Sequence, residues 1–374
     1  MTLYLVAGEA SGDARGAEVM RALRDRIPDI EFRGAGGRLM NALAGGKIED
    51  WADEAVVGLW DVLKKYGYFR AQFDKMLLDV AERKPDAVLF IDYPGFNLRL
   101  AKALRAKFPQ LRLFYYISPQ VWAWNRGRIP KMARYLDLML CIFPFEKTLY
   151  EKSGLRTEFV GHPMLDSLAA EKIGEPRDPD LVALLPGSRQ KEVRKIFPVM
   201  IAAAQIVRKK HPHVRLAASA ASPALADLMA QQLRAQGCGP DFCTIGLRDS
   251  HTLMQRAGAG LVASGTATLE AAYFGLPFAL LYRVAWLTWV VGKRLVRVPF
   301  LGMPNILAGK EIVREFLQDD AQPQAVAQHL EELITDASLR ERLQRELAGV
   351  IAGLGEGGAA GRAAEVLAGE LSGR

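Results

Sequence analysis

The sequence has little cysteine and no long uninterrupted apolar run. Its three cysteines form neither a CxxC pair nor a cluster with histidine, which excludes a disulfide framework and argues against a thiolate zinc site. The longest apolar stretch, 278–291, is interrupted by Arg283 and is shorter than the roughly 20 residues of a membrane-spanning helix. The first residues carry no basic leader of a signal peptide. These absences predict a protein of a reducing compartment that is neither exported nor membrane-spanning.

Several motifs of nucleotide-binding and hydrolytic enzymes are also missing. No GxxxxGK[ST] loop and no GxSxG turn occurs, which excludes the P-loop phosphotransferases and the hydrolases built on that turn. The run 34–37 fails as a dinucleotide fingerprint, because Leu39 stands where a third small residue is needed. The DxD triplet 178–180, a spacing typical of metal-dependent sugar transferases, contains a rigid proline and falls in a predicted linker. We therefore expect no metal and no cofactor.

The composition is that of an ordinary globular protein. Half of the 374 residues are hydrophobic and 24% are charged, which predicts two domains, each able to bury a full core. The 49 Lys and Arg residues exceed the 42 Asp and Glu residues, leaving a formal charge of +7. This modest excess favours anionic partners, and leaves phosphorylated ligands, nucleic acid and an acidic membrane surface open.

Short apolar runs that end in polar or glycine-rich loops alternate with longer stretches of helical period. This pattern predicts an α/β protein with parallel sheets covered by helices, in two similar doubly wound halves. The charged, proline-containing stretch Glu171–Asp180 is the predicted linker. The expected domains are residues 1–170 and 181–352, with 353–374 as a C-terminal helix whose return to the first domain is left open. Ligands of such sheets bind beyond the carboxyl ends of the strands.

Two loops of the first half carry candidate functional residues. The loop Gly8–Asp13 follows the first strand, and Glu9 projects a carboxylate there that no helix cap requires, whereas Ser11 and Asp13 have helix capping as their simpler role. Asp92 ends the apolar run 88–91, where partial burial should raise its pKa and make it a good general base. Helix capping is the competing role for Asp92, but Asn97 is the better placed cap.

Two loops of the second half form a moderate nucleotide-site signal together, although capping alone explains either one. Ser188 and Arg189 follow a strand and a tight glycine turn, where helix-start amides and a guanidinium suit a diphosphate. The turn 264–268 again joins a strand to a helix, with Glu270 in the first turn positioned to hold a ribose diol. Its candidate residues are Ser264, Gly265, Thr266 and Thr268.

The segment Val56–Arg70 is amphipathic and predicts a contact with lipid. Its apolar residues stand at helical spacing beside Lys64, Lys65 and Arg70, the composition of an interfacial helix, and an aromatic core helix is an equally good interpretation. A second candidate surface contains Trp286, Trp289, Lys293 and Arg294. The apolar residues predicted to contact acyl chains or the membrane are Trp60, Leu63, Tyr66 and Phe69.

With these motifs in place, the sequence resembles the lipid-A-disaccharide synthases, bacterial glycosyltransferases of lipopolysaccharide synthesis. The resemblance implies the GT-B fold, two doubly wound Rossmann-like domains facing across a cleft. It covers both halves in the family's order. The segments that carry it are AGEASGD (7–13), IDxPxFN (91–97), YYISPQVWAW (115–124), FPFE (143–146), FVGHPMLD (159–166), LLPGSR (184–189), SGTATLE (264–270) and MPNILAG (303–309).

The resemblance implies inverting transfer of 2,3-diacylglucosamine from UDP-2,3-diacylglucosamine to 2,3-diacylglucosamine 1-phosphate, giving lipid A disaccharide 1-phosphate and UDP. It implies a cytoplasmic enzyme, peripheral on the inner face of the inner membrane, with no nucleic-acid partner. Asp92 is then the general base, with Glu9 and Ser11 close to it. Gly95 departs from the family pattern, in which an acid is common at that position. The residues on the UDP side are Ser188, Arg189, Ser264, Gly265, Thr266, Thr268, Glu270 and Asn305.

Two other functions stay open on the sequence. One is another UDP-GlcNAc-type GT-B enzyme, either a peptidoglycan-type transferase or an epimerase, which turns over sugars without acyl chains. The other is a non-catalytic module that binds a nucleotide sugar or a lipid without turnover.

Overall fold

The computed structural model describes residues 1–51, 66–284 and 298–373, which form two compact units. The first unit contains Met1–Asp166 together with Leu354–Arg374, and the second contains Ser167–Gly353. Each unit has a parallel sheet with helices packed on it. Because helices cover both faces of such a sheet, its strands are apolar along most of their length.

Seven of the described strands form the sheet of the first unit, in the order β3-β2-β1-β4-β5-β6-β7. The central strand β4 is buried at every position, which explains why its sequence AVLFI is apolar throughout. The strands are β1 (Thr2–Ala7), β2 (Glu31–Gly36), β3 (Ile48–Asp50), β4 (Ala87–Ile91), β5 (Arg112–Tyr116), β6 (Leu138–Cys141) and β7 (Thr157–Phe159).

The helices of the first unit alternate with these strands, and the last one returns from the C-terminus. That helix, α16, buries Ala363 and Leu367, and its Glu370 backbone carbonyl accepts a hydrogen bond of 2.5 Å from Arg112. The helices are α1 (Ala10–Arg26), α2 (Arg38–Leu43), α3 (Tyr66–Arg83), α4 (Pro94–Lys107), α5 (Val121–Trp124), α6 (Ile129–Met132), α7 (Pro144–Glu151), α8 (Met164–Ala169, which crosses into the second unit) and α16 (Ala359–Leu371).

Six of the described strands form the sheet of the second unit, in the order β10-β9-β8-β11-β12-β13. They are β8 (Asp178–Leu185), β9 (Arg215–Ala220), β10 (Thr244–Leu247), β11 (Ala257–Ala263), β12 (Phe278–Tyr282) and β13 (Glu315–Leu317). The helices packed with them are α9 (Gln190–Lys210), α10 (Pro223–Ala235), α11 (Ser250–Arg256), α12 (Ala267–Tyr273), α13 (Met303–Ala308), α14 (Pro323–Thr335) and α15 (Ala337–Ala352).

The predicted linker is wrong at its carboxyl end. Strand β8 already begins at Asp178, so the DxD triplet starts a strand and does not lie in a linker. The residues before it are docked on the second unit: the backbone N–H of Ile173 donates to Gln255 Oε1 at 2.8 Å. The Arg177 guanidinium donates to the carbonyls of Met254 and Ala257, both at 2.7 Å. The charged, proline-containing stretch therefore consists of a segment that packs on the second unit and of the first residues of β8.

Candidate active site

The first sheet brings the Gly8–Asp13 loop and Asp92 together. Strands β1 and β4 are neighbours, and Ala7 pairs with Ile91, so the residues that follow each strand leave the sheet side by side. Gly8 is required there, because a Cβ at this position would lie 2.1 Å from Tyr93 Cδ1. The residue after Asp92 therefore packs directly over the first loop.

Asp92 is held by its own backbone in an unusual conformation. Asp92 and Tyr93 have φ angles of 47° and 49°, the left-handed region that residues with a Cβ rarely adopt outside functional sites. The Asp92 carbonyl accepts hydrogen bonds from the Tyr115 hydroxyl at 2.6 Å and from Asn97 Nδ2 at 2.8 Å. Its N–H donates to the Tyr116 carbonyl at 3.0 Å. This clamp fixes the direction in which the carboxylate leaves the strand.

The environment of the Asp92 carboxylate makes it a better base. Burial raises the pKa of Asp92, the negative charge of Glu9 raises it further, and a hydrogen bond from the Tyr93 backbone N–H partly opposes both. The raised pKa expected from its position at the end of an apolar strand is confirmed in direction. A half-buried carboxylate of this kind accepts a proton more readily than an exposed one.

The first loop divides into exposed and structural residues. Helix α1 begins at Ala10, and Glu9 precedes it without any side-chain capping bond, so the expectation that Glu9 has no capping duty is confirmed. Glu9 and Ser11 are exposed. Asp13 is buried and caps a different helix, because its carboxylate accepts the backbone N–H groups that start α2. These donors are Gly37 at 3.0 Å, Leu39 at 3.0 Å and Met40 at 2.9 Å.

The prediction that Asn97 caps the next helix is wrong. Helix α4 begins at Pro94, with Tyr93 as its N-cap, so Asn97 lies inside the first turn. Proline is favoured at that first position because it has no N–H to leave unpaired. The buried Asn97 amide instead donates to the carbonyls of Val6 and Ile91, each at 3.3 Å, as well as to Asp92. Asn97 therefore positions Asp92.

A buried carboxyl group that was not predicted from the sequence, Glu146, lies at the same sheet edge. It accepts hydrogen bonds from Trp122 Nε1 at 2.9 Å and from the Phe143 backbone N–H at 3.2 Å. Burial raises the pKa of Glu146 to about 7, although these bonds oppose the rise. Trp122 lies in the YYISPQVWAW segment and Glu146 in the FPFE segment, but nothing in the spacing of these segments indicates that the two side chains meet.

The two predicted nucleotide loops of the second unit also lie side by side. Strands β8 and β11 are neighbours, with Leu185 paired to Val262, so the loops that follow them leave the same edge. In the first loop Gly187 has φ 104°, Ser188 and Arg189 are exposed, and helix α9 begins directly after them at Gln190. The Arg189 guanidinium lies 2.9 Å from a Glu192 carboxylate oxygen, an exposed pair that leaves it free to reorient.

The second loop, residues 264–268, contains exposed residues and residues that are hydrogen-bonded within the chain. Gly265 and Thr266 are exposed, and Gly265 has φ 148°. Ser264 is half-buried, and its backbone N–H donates to the Leu281 carbonyl at 3.0 Å. Thr268 is fully buried and its hydroxyl donates to the Gly265 carbonyl at 2.8 Å. Thr268 therefore shapes the turn, while its neighbours present their groups to solvent.

Glu270 belongs to a cluster that the sequence does not reveal. His251 lies between two carboxylates, with Nδ1 2.5 Å from Glu171 and Nε2 3.3 Å from Glu270. Partial burial lowers the pKa of His251, but the hydrogen bonds and charges of the two carboxylates outweigh it, and the pKa is raised. The imidazole therefore holds Glu270 in place when it is protonated.

Replacing His251 with Gln should remove a stabilising contribution that depends on pH. Because the pKa of His251 is raised in the folded chain, this contribution to stability is fully present at pH values below the unfolded-state pKa of about 6.5. It is lost as the pH rises through the pKa of the folded state. We expect the variant's thermal midpoint to lie below that of the wild type in mild acid and to approach it in alkali. His213→Gln, in the turn before β9, is the matched control. A His251→Gln deficit that is equal at all pH values would contradict this assignment.

Asn305 is not available to a ligand in the way its family position implies. It is fully buried, and both the nitrogen and the oxygen of its side-chain amide form hydrogen bonds within the chain. The Nδ2 group donates to the Val313 carbonyl at 2.8 Å and to Glu315 at 2.9 Å. The Oδ1 atom accepts the N–H groups of Ile312 at 2.7 Å and Val313 at 2.9 Å. Asn305 therefore fixes helix α13 against the segment before β13.

The predicted lipid-facing segment is only partly described. Trp60 and Leu63 lie outside the described residues, as do Trp286, Trp289, Lys293 and Arg294 of the second candidate surface. Tyr66 is the first residue of α3. Phe69 packs its ring edge-on against Trp51, with centroids 6.3 Å apart, and joins the core cluster, which favours the core alternative for this side chain. In the described ranges, no helix is both long and apolar enough to span a bilayer.

The groups that commonly ligate metals do not cluster in the described ranges. No three His, Cys, Asp or Glu side chains there are arranged to hold an ion. His211 and His213 lie in the turn between α9 and β9, and His211 Nε2 contacts Glu331 at 3.0 Å. The three cysteines are buried, as expected for core residues.

Comparison with solved structures supports the fold assignment. A UDP-GlcNAc 2-epimerase from Neisseria meningitidis, solved with UDP-GlcNAc bound, superposes with a TM-score of 0.61 at 12% identity, over 100% of this chain and 99% of its own. MurG from Acinetobacter baumannii superposes with a TM-score of 0.56 at 13% identity, over 98% of each chain. The prediction of two doubly wound α/β domains of the GT-B type is therefore confirmed.

Comparison with sequences identifies the family. The model of the lipid-A-disaccharide synthetase family matches residues 3–357. The lipid-A-disaccharide synthase of Trichlorobacter lovleyi is 39% identical, over 96% of this chain and 94% of its own. That of Koribacter versatilis is 41% identical, over 94% of this chain and 92% of its own. The chain belongs to the lipid-A-disaccharide synthase family of glycosyltransferases.

Proposed function

We propose that this chain transfers 2,3-diacylglucosamine from UDP-2,3-diacylglucosamine to the 6-hydroxyl of 2,3-diacylglucosamine 1-phosphate. The products are UDP and lipid A disaccharide 1-phosphate. The observation that carries the proposal is the half-buried Asp92 carboxylate, clamped at the end of β4 with its pKa raised. Family membership supplies the substrate class.

Asp92 acts as the general base in this reaction. It takes the proton of the acceptor hydroxyl while that oxygen forms a bond to the anomeric carbon and the bond from that carbon to UDP breaks. The attack comes from the face opposite the leaving group, so the anomeric configuration inverts. The left-handed backbone at Asp92 and the three hydrogen bonds to its peptide groups hold the base in one direction before substrate binds.

Glu9 and Ser11 support Asp92 from the neighbouring loop. The charge of Glu9 raises the pKa of Asp92, so Glu9 increases the basicity of the catalytic carboxylate. Ser11, exposed in the first turn of α1, supplies a hydroxyl that hydrogen-bonds the acceptor sugar.

The leaving UDP is bound by the paired loops of the second unit. The exposed Arg189 guanidinium, the hydroxyl of Ser188 and the free amides at the start of α9 bind the diphosphate and stabilise its developing charge. The Ser264, Gly265 and Thr266 groups line the same edge, and Glu270 binds the ribose diol while His251 orients it. Thr268 and Asn305 contribute by shaping the loops.

The proposed cellular location of the chain follows from its substrates. Both sugars carry two acyl chains and reside in a bilayer, so the chain acts from the cytoplasm as a peripheral protein on the inner face of the inner membrane. Nucleic acid has no part in the reaction.

The product of the purified chain tests this proposal. With both acylated substrates supplied, we expect the mass of the tetraacyl disaccharide 1-phosphate and, by proton NMR, an inverted anomeric configuration in the new linkage. A UDP sugar with altered configuration at C2 would indicate an epimerase instead. UDP binding without any turnover would indicate a binding module.

A further inference from the structure

A strongly basic segment, Trp124–Arg134, leads from the carboxyl end of β5, at the same edge of the sheet as Asp92, back to the amino end of β6. It consists of the end of α5, a turn of 3-10 helix and α6. Strand β5 pairs with β4, which ends next to Asp92, so the segment leaves the sheet beside the catalytic strand. Four cationic residues and no acid occur in it, and the nearest acid that follows in the chain is Asp137.

The inner side of the basic segment is fixed to the protein. Val121, Ile129 and Met132 are buried against the core cluster. Trp122, just before the segment, donates its indole N–H to the buried Glu146. Two short helical turns are thus anchored from one side, and their orientation is set by the fold.

The outer side presents an indole ring and positive charge. Trp124 is 43% exposed, and the Arg128 guanidinium lies 4.8 Å from its ring centroid. Arg126, Lys131 and Arg134 are also exposed.

The four cations of this segment form no ion pair with any carboxylate of the described residues. By contrast, other basic side chains of the same unit have acidic partners: Arg105 contacts Asp137 at 2.5 Å, and Lys147 contacts Glu158 at 2.7 Å. The basic segment therefore carries a local excess of positive charge that no carboxylate of the described ranges neutralises.

The combination fits the surface of an anionic bilayer better than a single phosphate. Tryptophan favours the depth of the lipid headgroups, where its ring meets apolar carbon and its N–H meets polar groups. Lysine and arginine beside it attract anionic lipids, and each of them adds to the free energy of membrane binding. One phosphate group engages one or two cations, whereas this segment contains four, with one of them over an exposed ring.

We propose that the basic segment Trp124–Arg134 docks on anionic phospholipid headgroups and holds the Asp92 edge of the first sheet against the bilayer. The choice of lipid over another polyanion rests on the proposed function, because acylated substrates put the chain at a membrane. The segment does not overlap residues 56–70 in the sequence, and its position is fixed by the anchors described above.

Sedimentation with vesicles tests the proposal, using phosphatidylcholine vesicles with and without phosphatidylglycerol and no substrate. We expect Arg126→Gln, Arg128→Gln and Lys131→Gln together to weaken binding to the anionic vesicles about 10²-fold. The matched control removes three exposed lysines of the same unit, Lys102, Lys107 and Lys152, and should change binding much less. Equal weakening by both triple variants would contradict a local docking surface.

Two further variants separate docking from misfolding. Trp124→Ser changes an exposed side chain and should keep the thermal midpoint while weakening vesicle binding. Exchanging Arg126 and Arg128 for lysine keeps the charge and should retain most of the binding. Vesicle binding that is unchanged in both Trp124→Ser and the glutamine triple variant would overturn the proposal.

Two other ligands are distinguished by separate measurements on the same triple variant. A raised KM for a short-chain, water-soluble acceptor, with vesicle binding intact, would assign the segment to the acceptor phosphate instead. Loss of binding to single-stranded RNA at physiological salt, again with vesicle binding intact, would assign it to nucleic acid. Because the vesicle assay contains no substrate, its failure leaves the proposed transferase reaction standing, and failure of that reaction leaves the vesicle result unaffected.

Discussion

Replacing Asp92 with asparagine should lower turnover by about 10²-fold or more while leaving UDP affinity nearly unchanged. Asparagine keeps the shape of the side chain and tolerates the left-handed backbone at this position, so the change removes the base with little structural cost. Steady-state rates of UDP release and titration of UDP binding measure the two effects separately.

The control for this substitution is Asp25→Asn, which removes an exposed carboxylate from the far end of α1 and should leave turnover unchanged. Glu9→Gln provides a second check, because removing its charge should lower the pKa of Asp92 and shift the acid limb of the kcat/KM profile to lower pH. Near-normal turnover of Asp92→Asn would reassign Asp92 to a structural role.

Replacing Arg189 with alanine should weaken UDP affinity by about 1.5–3 kcal/mol, the loss of a hydrogen bond to a charged group. The reason is that Arg189 is the exposed guanidinium at the start of α9, next to the free amides that bind the diphosphate. Isothermal titration with UDP measures the change. Lys209→Ala, at the opposite end of the same helix, removes a positive charge far from this loop and should leave UDP affinity unchanged.

Turnover measured with and without a chelator separates a protein-based diphosphate site from a metal-based one. If Arg189 and the helix amides supply the positive charge, a chelator leaves wild-type turnover unaffected. Turnover that is abolished by chelator and restored by magnesium would contradict this role of Arg189.

The sequence predicted the elements that depend on local pattern. Strand β4 (Ala87–Ile91) is buried on both faces and contains the apolar run 88–91 seen in the sequence, and the raised pKa of Asp92 followed from its place at that strand's end. The start of α9 at Gln190 likewise follows from a glycine turn and a polar helix start. These features depend on neighbours in the chain, which periodicity and turn residues reveal.

The features that were missed depend on partners distant in the chain. Asp13 caps α2, 24 or more residues later, and His251 joins Glu171, 80 residues earlier, to Glu270. Asn97 was predicted to be a cap because asparagine commonly precedes a helix, but Pro94 starts α4 one turn earlier and turns the amide towards β1 and β4. No local pattern distinguishes these roles, since the same residue types also cap helices locally.

The most direct test of the central claim compares UDP release by the wild-type chain with two matched pairs of substrates. One pair is UDP-2,3-diacylglucosamine with 2,3-diacylglucosamine 1-phosphate, and the other is UDP-GlcNAc with N-acetylglucosamine 1-phosphate. We expect release that requires both acylated sugars and is negligible with the pair that lacks the long chains. Equal or faster release from the UDP-GlcNAc pair would contradict it.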